Sequence, residues 1–137
     1  MRIRLEMPQR VLFDLPIIIR VTDMNYGGHS GNDRLLVFAQ ECRNAWFQSL
    51  GFTELDVDGC SSIMADAAVQ YLAEGYAGDQ LNVTLFMGDQ NKYGFDLYYL
   101  VSMADGSELA KMKTAILFRD ASDKLCPPPK ALAEFIA

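Results

Sequence analysis

One long amphipathic helix, in a chain otherwise patterned for strands, is the feature that most restricts the fold. Across residues 34–50, apolar side chains recur at the i, i+3, i+4 and i+7 spacing of a helix, and Gly51 ends the pattern. Leu36, Val37 and Phe47 extend the apolar surface beyond a single stripe. We therefore expect this helix to be covered on more than one side.

Strand-like segments lie on both sides of the helix. The first spans residues 11–22 and contains Pro16, which lacks a donor for the sheet and so predicts an edge position, a bulge or a strand start at Ile17. The other four strands are predicted over residues 63–72, 81–87, 93–103 and 108–119. Asp105-Gly106, between the last two, is a strong hairpin signal.

The order of these elements predicts the fold class. One strand, one helix and four strands that can meander antiparallel indicate an α+β fold, with a curved antiparallel sheet of about five strands wrapped around one long central helix. We expect a turn at residues 88–91 and a short helix at 130–136. The length of 137 residues fits one domain spanning 1–137. A homodimer that continues the sheet across two chains would cover an open edge.

Composition excludes several classes of function. The apolar runs are far shorter than the roughly 20 residues of a membrane span, and the N-terminus lacks a secretory pattern, so we expect a cytoplasmic protein without membrane contact. A net charge of −6 argues against nucleic-acid binding. Lys111 and Lys113, or Lys92, could still meet the phosphates of a small anionic ligand. Three cysteines without C-x-x-C spacing and one histidine predict buried or half-buried thiols and no metal site.

The side chains that can carry chemistry are concentrated in residues 21–32, between the first strand and the helix. They combine the only histidine with two adjacent glycines, an acid and an amide: His29, Gly27, Gly28, Asp23 and Asn25. The glycines permit the angles of a tight turn, and Asn32 is placed to cap the helix. Since a helix start carries roughly half a positive charge, this one can receive a carboxylate, a phosphate or an acyl-transfer oxyanion.

Three stretches of the chain carry a family resemblance. They are D-M-N-Y-G-G-H-S-G-N at 23–32, E-C-R-N-A-W-F-Q-S-L-G at 41–51 and Y-L-A-E-G-Y-A-G-D-Q-L-N-V at 71–83. Together they resemble the hotdog-fold acyl-CoA thioesterases of the 4-hydroxybenzoyl-CoA thioesterase family. The resemblance implies a hotdog fold, a homodimer or tetramer, and hydrolysis of an acyl-CoA or acyl carrier protein thioester. It implies no cofactor, since CoA is part of the substrate.

The same resemblance exposes a missing catalytic group. The family's motif is D-x-D-x-x-G-H, and its second Asp attacks the thioester or activates water, whereas this chain has Asn25 there. An amide has no anionic oxygen, so Asn25 cannot act as a general base or form an anhydride. The candidates for a substitute acid are Asp23, Glu41 and Asp66. Alternatively, Asn25 alone orients water, or the chain binds acyl-CoA without cleaving it.

The resemblance also assigns the remaining site residues. Backbone N–H groups at residues 31–33 would polarise the thioester carbonyl, and His29 would orient the turn or a water. Ser62 falls near the position that contacts the acyl group, and Lys92 near residues that meet the CoA phosphates. The predicted substrate contacts are Gly28, Gly31, Asn32, Asp33, Ser62 and Lys92.

Two other functions are open from the sequence. D-M-N-Y-G-G-H also resembles the D-x-N-P-x-H motif of hotdog enoyl-CoA hydratases, in which an Asp and a His, here Asp23 and His29, act on water. The match lacks the proline and has one extra residue between acid and histidine, although Asn25 fits the motif. A non-catalytic acyl-CoA-binding module is the third interpretation, and Asn25 makes it more credible.

Overall fold

The predicted α+β architecture is confirmed by a computed structural model, which describes residues 1–28 and 31–136. In chain order the main elements are β1 (Val11–Ile18), α1 (Arg34–Ser49), β2 (Ser61–Tyr71), β3 (Gln80–Asn91), β4 (Gly94–Met103), β5 (Glu108–Arg119) and β6 (Leu125–Cys126). Two 3-10 helices lie at Val21–Asp23 and Lys130–Phe135. One long helix therefore packs against one antiparallel sheet, as the helical and strand patterns predict.

The strand order differs from the predicted meander. Strands β3, β4 and β5 do follow one another as antiparallel neighbours, but β2 pairs with β5 at the far edge, in the order β1-β3-β4-β5-β2. The short β6 also pairs with β5. The chain can cross over because eight residues, 72–79, separate β2 from β3. Alternation along a strand predicts its two faces and carries no information about its partner, so the order could not be derived from it.

Strand β1 is an edge strand, which confirms one of the positions predicted for Pro16. Pro16 lies opposite Asn82 of β3, and the other edge of β1 has no strand partner among the described residues. The strand ends at Ile18 and not at residue 22. It ends because the Arg20 backbone N–H donates to the Asp23 carboxylate (2.8 Å), which closes a 3-10 turn.

Strand β3 is longer than predicted. The expected turn at 88–91 is wrong, because β3 continues to Asn91 with a bulge between Met87 and Gln90. Gly88 permits this bulge, since a Cβ at that position would lie 2.9 Å from the Asp96 carbonyl oxygen. The turn is consequently reduced to the two residues between β3 and β4.

The core lies between α1 and the inner face of the sheet. The side chains that α1 buries include Phe38, Cys42 and Phe47, and β4 meets them with residues such as Leu97 and Tyr99. The C-terminal tail covers another side of the helix, because Phe135 packs edge-on against Trp46 with ring centroids 5.5 Å apart. The helix is therefore covered by the sheet and by the tail, as its broad apolar surface predicts.

A buried polar network crosses this core. Arg43 on α1 is 6% exposed, and its guanidinium pairs with Glu54 and donates to the Tyr99 hydroxyl (3.0 Å). The Tyr99 hydroxyl also shares a hydrogen bond with Thr114 (2.7 Å). Burial raises the pKa of Tyr99, so the phenol stays protonated. This network ties the helix to β4, to β5 and to the loop before β2.

The three thiols lie where composition predicts. Cys42 is buried, and burial raises its pKa to about 12. Cys60 and Cys126 are half-buried with their sulfur atoms 3.6 Å apart. Within the described residues, no helix is both long and apolar enough to cross a membrane.

Candidate functional site

Backbone hydrogen bonds form a turn directly before α1. The Gly31 N–H donates to the Asp23 carbonyl oxygen (2.8 Å), and the Arg34 N–H donates to the Gly31 carbonyl oxygen (3.0 Å). Asp33 precedes the helix with nearly helical angles (φ −74°, ψ −23°), and no side chain caps it. The prediction that Asn32 is the N-cap is wrong, because the turn through Gly31 places Asp33 at that position.

Two backbone donors at this helix start have no partner within residues 1–28 and 31–136. Asn32 and Asp33 are exposed, and no acceptor among the described residues receives their backbone N–H groups. They lie at the positive end of the dipole of a 16-residue helix. The Gly31 N–H is engaged, so the predicted set of three donors is reduced to two. Such donors can bind a carbonyl oxygen and stabilise the negative charge that develops on it.

A buried carboxylate holds the segment before this helix. Asp23 is 1% exposed, and its carboxylate accepts hydrogen bonds from Arg20 Nε (3.2 Å), Arg20 Nη2 (3.1 Å) and the Arg20 backbone N–H (2.8 Å). Arg34 Nε lies 3.7 Å away. Burial by itself raises the pKa of Asp23, but the hydrogen bonds from Arg20 and the charges of Arg20 and Arg34 outweigh it, and the net pKa is lowered.

This environment disfavours Asp23 as a general base. A carboxylate whose pKa is lowered by two arginines is a poor proton acceptor, and its oxygens already receive donors. Through its backbone carbonyl, Asp23 instead binds the Gly31 N–H. We therefore assign Asp23 a positioning role: it fixes the 3-10 turn against the start of α1.

Asn25 lies in the exposed turn that follows. Its Oδ1 accepts the Gly27 N–H (2.9 Å), and its carbonyl accepts the Gly28 N–H (3.2 Å). Gly28 has a φ of +79°, a backbone angle that residues other than glycine rarely adopt, so the turn requires a glycine there. The predicted roles of His29 fall outside the described residues and stay predictions.

The other two candidate acids lie on separate surfaces. Glu41 is exposed on α1 and lines a groove of about 370 Å³ between this helix and β1, seven residues and about 10 Å along the axis from Arg34. Asp66 is exposed on the edge strand β2, where it accepts a hydrogen bond from the Lys113 ammonium group (2.8 Å). Glu41 shares its groove with Arg20, the partner of Asp23; the hydrogen bond to Asp23 raises the pKa of Arg20, and the charge of Glu41 adds to that rise. Among the described residues, neither Glu41 nor Asp66 forms a hydrogen bond with Asp23.

The predicted acyl and phosphate contacts make local interactions. The Ser62 hydroxyl and backbone N–H both donate to the Glu54 carbonyl oxygen (3.0 and 2.7 Å). The Lys92 ammonium group lies over the Tyr93 ring, 5.2 Å from its centroid. Among the described residues, no group of three or more His, Cys, Asp or Glu side chains could hold a metal ion.

Two residues at the site were not predicted from the sequence. The Tyr71 hydroxyl, at the end of β2, donates to the Asn32 carbonyl oxygen (2.8 Å) and so ties the sheet edge to the helix start. No periodicity links residues 39 positions apart, so this contact has no signal in a single sequence. The clamp of Arg20 on Asp23 had a visible signal in the R-x-x-D spacing, since residues three apart meet within one 3-10 turn.

Comparisons with known proteins agree with this architecture. A family model described as the thioesterase-like superfamily matches residues 19–136. A search of curated proteins found no significant match. Among solved structures, a 1,4-dihydroxy-2-naphthoyl-CoA thioesterase from Synechocystis superposes with a TM-score of 0.81 at 20% identity, over 90% of this chain and 94% of that one.

Two further structures have the same fold. A gentisyl-coenzyme A thioesterase superposes with a TM-score of 0.80 at 16% identity, over 91% of this chain and 100% of that one. A Staphylococcus aureus protein in complex with CoA gives 0.81 at 13% identity, over 96% and 84%. Likeness at these identities establishes the fold, and the predicted hotdog fold is confirmed.

Proposed function

The chain belongs to the thioesterase-like superfamily, and on that premise we propose that it hydrolyses thioesters of CoA or of acyl carrier protein. The observation that carries the proposal is that the N–H groups of Asn32 and Asp33, at the start of α1, have no acceptor among the residues that the structure describes. They can bind the thioester carbonyl oxygen as it becomes an oxyanion. The similar structures named as CoA thioesterases, and the one in complex with CoA, support this substrate class.

The proposed reaction uses water as the nucleophile. Water adds to the carbonyl carbon, the oxyanion is held by the two N–H groups, and the C–S bond breaks to release an acid and a thiol. The water proton passes to the leaving thiolate or to solvent, because Asn25 cannot accept it. Asn25 orients the water instead. The proposed chemistry requires no cofactor beyond the CoA of the substrate.

A missing carboxylate predicts a slow enzyme. General bases contribute about 10²- to 10⁴-fold to rate, so Asn25→Asp should raise kcat for thiol release by about 10²-fold. The assay is thiol release from short, medium, long and aromatic acyl-CoAs. Asn91→Asp is a matched control, because Asn91 Oδ1 accepts a backbone N–H two residues further on (3.1 Å), as Asn25 does. Equal rates for wild type and Asn25→Asp would contradict water activation at this position.

We also propose a homodimer formed along β2, or a tetramer made of two such dimers. Four consecutive residues in the middle of β2, 64–67, are exposed, and Met64 is 50% exposed. The strand is 11 residues long, whereas the opposite edge, β1, carries Pro16. No other strand of the described residues pairs with the outer edge of β2, and an edge strand of this length is suited to pairing with a second copy. Light scattering on a sizing column should give at least twice the monomer mass. We also propose that the protein is located in the cytoplasm.

A non-catalytic acyl-CoA-binding protein is the second candidate, and Asn25 is the observation that favours it. Calorimetry with a non-hydrolysable acyl-CoA analogue would then show binding while no thiol release occurs. A hydratase is less well supported, because Asp23, its proposed catalytic acid, is held by Arg20. The hydratase would be favoured again by two results together. The wild type would have to remove the enoyl absorbance of crotonyl-CoA, and Asp23→Asn would have to abolish that activity while the protein remains folded.

A further inference from the structure

A large groove lies beside the end of β2 and meets the site described above at Tyr71. It is lined by residues 1–6 of the N-terminal segment, by residues 69–72 at the end of β2, and by Lys111 of β5, which lies opposite Gln70 in the sheet. The Leu5 backbone N–H donates to Gln70 Oε1 (2.9 Å), which attaches the segment to the strand. We call this the N-terminal groove. Its volume of about 780 Å³ lies within the range of small-molecule sites.

The charge of the N-terminal groove is opposite to that of the whole chain. The protein has 12 basic and 18 acidic side chains, a net charge of −6. The groove is lined by Arg2, Arg4 and Lys111 but by only one acidic residue, Glu6. Three cations against one anion, in an acidic protein, form a local site of attraction for an anion. Because Arg guanidinium and Lys ammonium groups both donate to phosphate oxygens, phosphate is the matching chemistry.

The apolar part of the lining suggests what the phosphates are attached to. Ile3, Leu5, Val69 and Leu72 also line the groove, and Ile3 and Leu72 remain 51% and 42% exposed. Exposed apolar side chains beside cationic ones suit a ligand with a flat apolar ring and phosphate groups, which is the composition of a nucleotide. The groove thus combines the two surfaces that such a ligand requires.

Tyr71 links the N-terminal groove to the helix start. It lines the groove, and its hydroxyl donates to the Asn32 carbonyl oxygen (2.8 Å), beside the two N–H groups proposed to bind the thioester. A ligand with phosphates at one end and a thioester at the other could therefore occupy both places by passing Tyr71 at the end of β2. This path lies outside the middle of the strand, residues 64–67, that is proposed to pair with a second copy.

We propose that the N-terminal groove binds the phosphorylated adenosine end of CoA, with Lys111, Arg2 and Arg4 contacting its phosphates. The inference rests on the proposed thioester hydrolysis for its choice of nucleotide. It also selects CoA thioesters over carrier-protein thioesters, because a carrier protein presents the pantetheine arm without adenosine.

The first experiment measures binding without catalysis. Isothermal calorimetry with adenosine 3′,5′-bisphosphate should show one site in the wild type. Lys111→Glu should weaken binding at least about tenfold, the size of one charge-assisted contact. Arg4→Ala provides a second variant at an exposed position where folding is not at stake. Lys124→Glu, an equal charge change in the tail outside the groove, should bind as the wild type does. Wild-type affinity in both groove variants would overturn the proposal.

The second experiment separates this proposal from the proposed function. The same acyl group is presented on CoA and on N-acetylcysteamine, which has no phosphates. Lys111→Glu should raise KM about tenfold for the CoA thioester and leave kcat/KM for the short thioester unchanged. Equal effects on both substrates would overturn the groove. Failure of the proposed function looks different, since neither thioester would be cleaved while the bisphosphate still bound in a Lys111-dependent way.

Discussion

Replacing Asp23 by Asn tests whether a buried ion pair sets up the start of α1. The change keeps the shape of the side chain and removes its charge. In the wild type, the carboxylate is 1% exposed and accepts three hydrogen bonds from Arg20. An amide can accept the backbone N–H but directs its NH₂ group at the guanidinium, so both side-chain contacts weaken. Each contact of this kind contributes about 1.5–3 kcal/mol when fully buried.

The expected loss is smaller than that sum because the Arg20 side chain is 65% exposed. Water can solvate the released guanidinium, and exposure reduces the value of an ion pair. We expect Asp23→Asn to lower the free energy of unfolding by about 2 kcal/mol, which corresponds to a fall in Tm of about 6–8 °C for a domain of this size.

The effect should depend on pH in a defined direction. The pKa of Asp23 is lowered in the folded protein, so its stabilisation is fully present above the unfolded value of about 3.9 and is lost as pH falls through the folded value. The difference between wild type and variant should therefore be constant near pH 7 and shrink in acid. Urea unfolding at several pH values, followed by the fluorescence of Trp46, the only tryptophan, measures it.

Asp123→Asn is the matched control. Asp123 also pairs with an arginine, Arg119 (3.4 Å), but its side chain is 79% exposed, so this change should cost less than about 0.5 kcal/mol. An Asp23→Asn variant that is no less stable than Asp123→Asn, or a difference that persists unchanged into acid, would refute the argument.

Three further changes test other parts of the structure. Tyr71→Phe removes the hydroxyl bond to the start of α1 and should cost about 1 kcal/mol in urea unfolding and lower kcat. Gly94→Ala should prevent stable folding, seen by circular dichroism, because its Cβ would lie 1.8 Å from the Ile116 carbonyl oxygen. The oxidant diamide should form a disulfide between Cys60 and Cys126, which mass spectrometry would detect as the loss of two hydrogens. The reaction should be faster at alkaline pH, because burial and the contact with Cys60 raise the pKa of Cys126 to about 11.

Each of these has its own contradicting result. Unchanged kcat in Tyr71→Phe would mean that the sheet edge does not position the helix start. A folded Gly94→Ala protein with wild-type Tm would mean that β4 and β5 can separate without cost. If Cys60 and Cys126 both remain reduced after treatment with diamide, their sulfur atoms are not close together in the folded protein.

Local patterns were sufficient for most of the fold. The helix was predicted over 34–50 and found at Arg34–Ser49, and the strands at β2, β4 and β5 were predicted within two residues. These features depend on the spacing of apolar residues and on turn residues such as Asp105-Gly106, which act over a few positions. The prediction that the site lies between the first strand and the helix rests on the same kind of local signal, because glycines and polar residues interrupt the apolar pattern there.

The contacts that define the site were beyond the sequence. Asn32 was expected to cap the helix, but the position of the cap depends on which carbonyl the Arg34 N–H reaches, and this is the carbonyl of Gly31. Asp23 was a candidate catalytic acid, yet its burial and its hydrogen bonds from Arg20 favour the positioning role that we assign to it. The residue type limits the chemistry that is available to a side chain, whereas burial and hydrogen-bond partners decide which of that chemistry occurs in the folded protein.

The sequence by itself thus determined an α+β chain, one long helix, a proline in the first strand that limits its pairing, and glycines before the helix start. Tertiary structure alone decided that β2 pairs with β5, that Tyr71 reaches Asn32, and that the N-terminal segment brings two arginines beside Lys111. The physical reason is the separation along the sequence over which each kind of interaction acts. Periodicity and turn chemistry act between neighbours in sequence, while pairing, burial and charge depend on residues that only folding brings together.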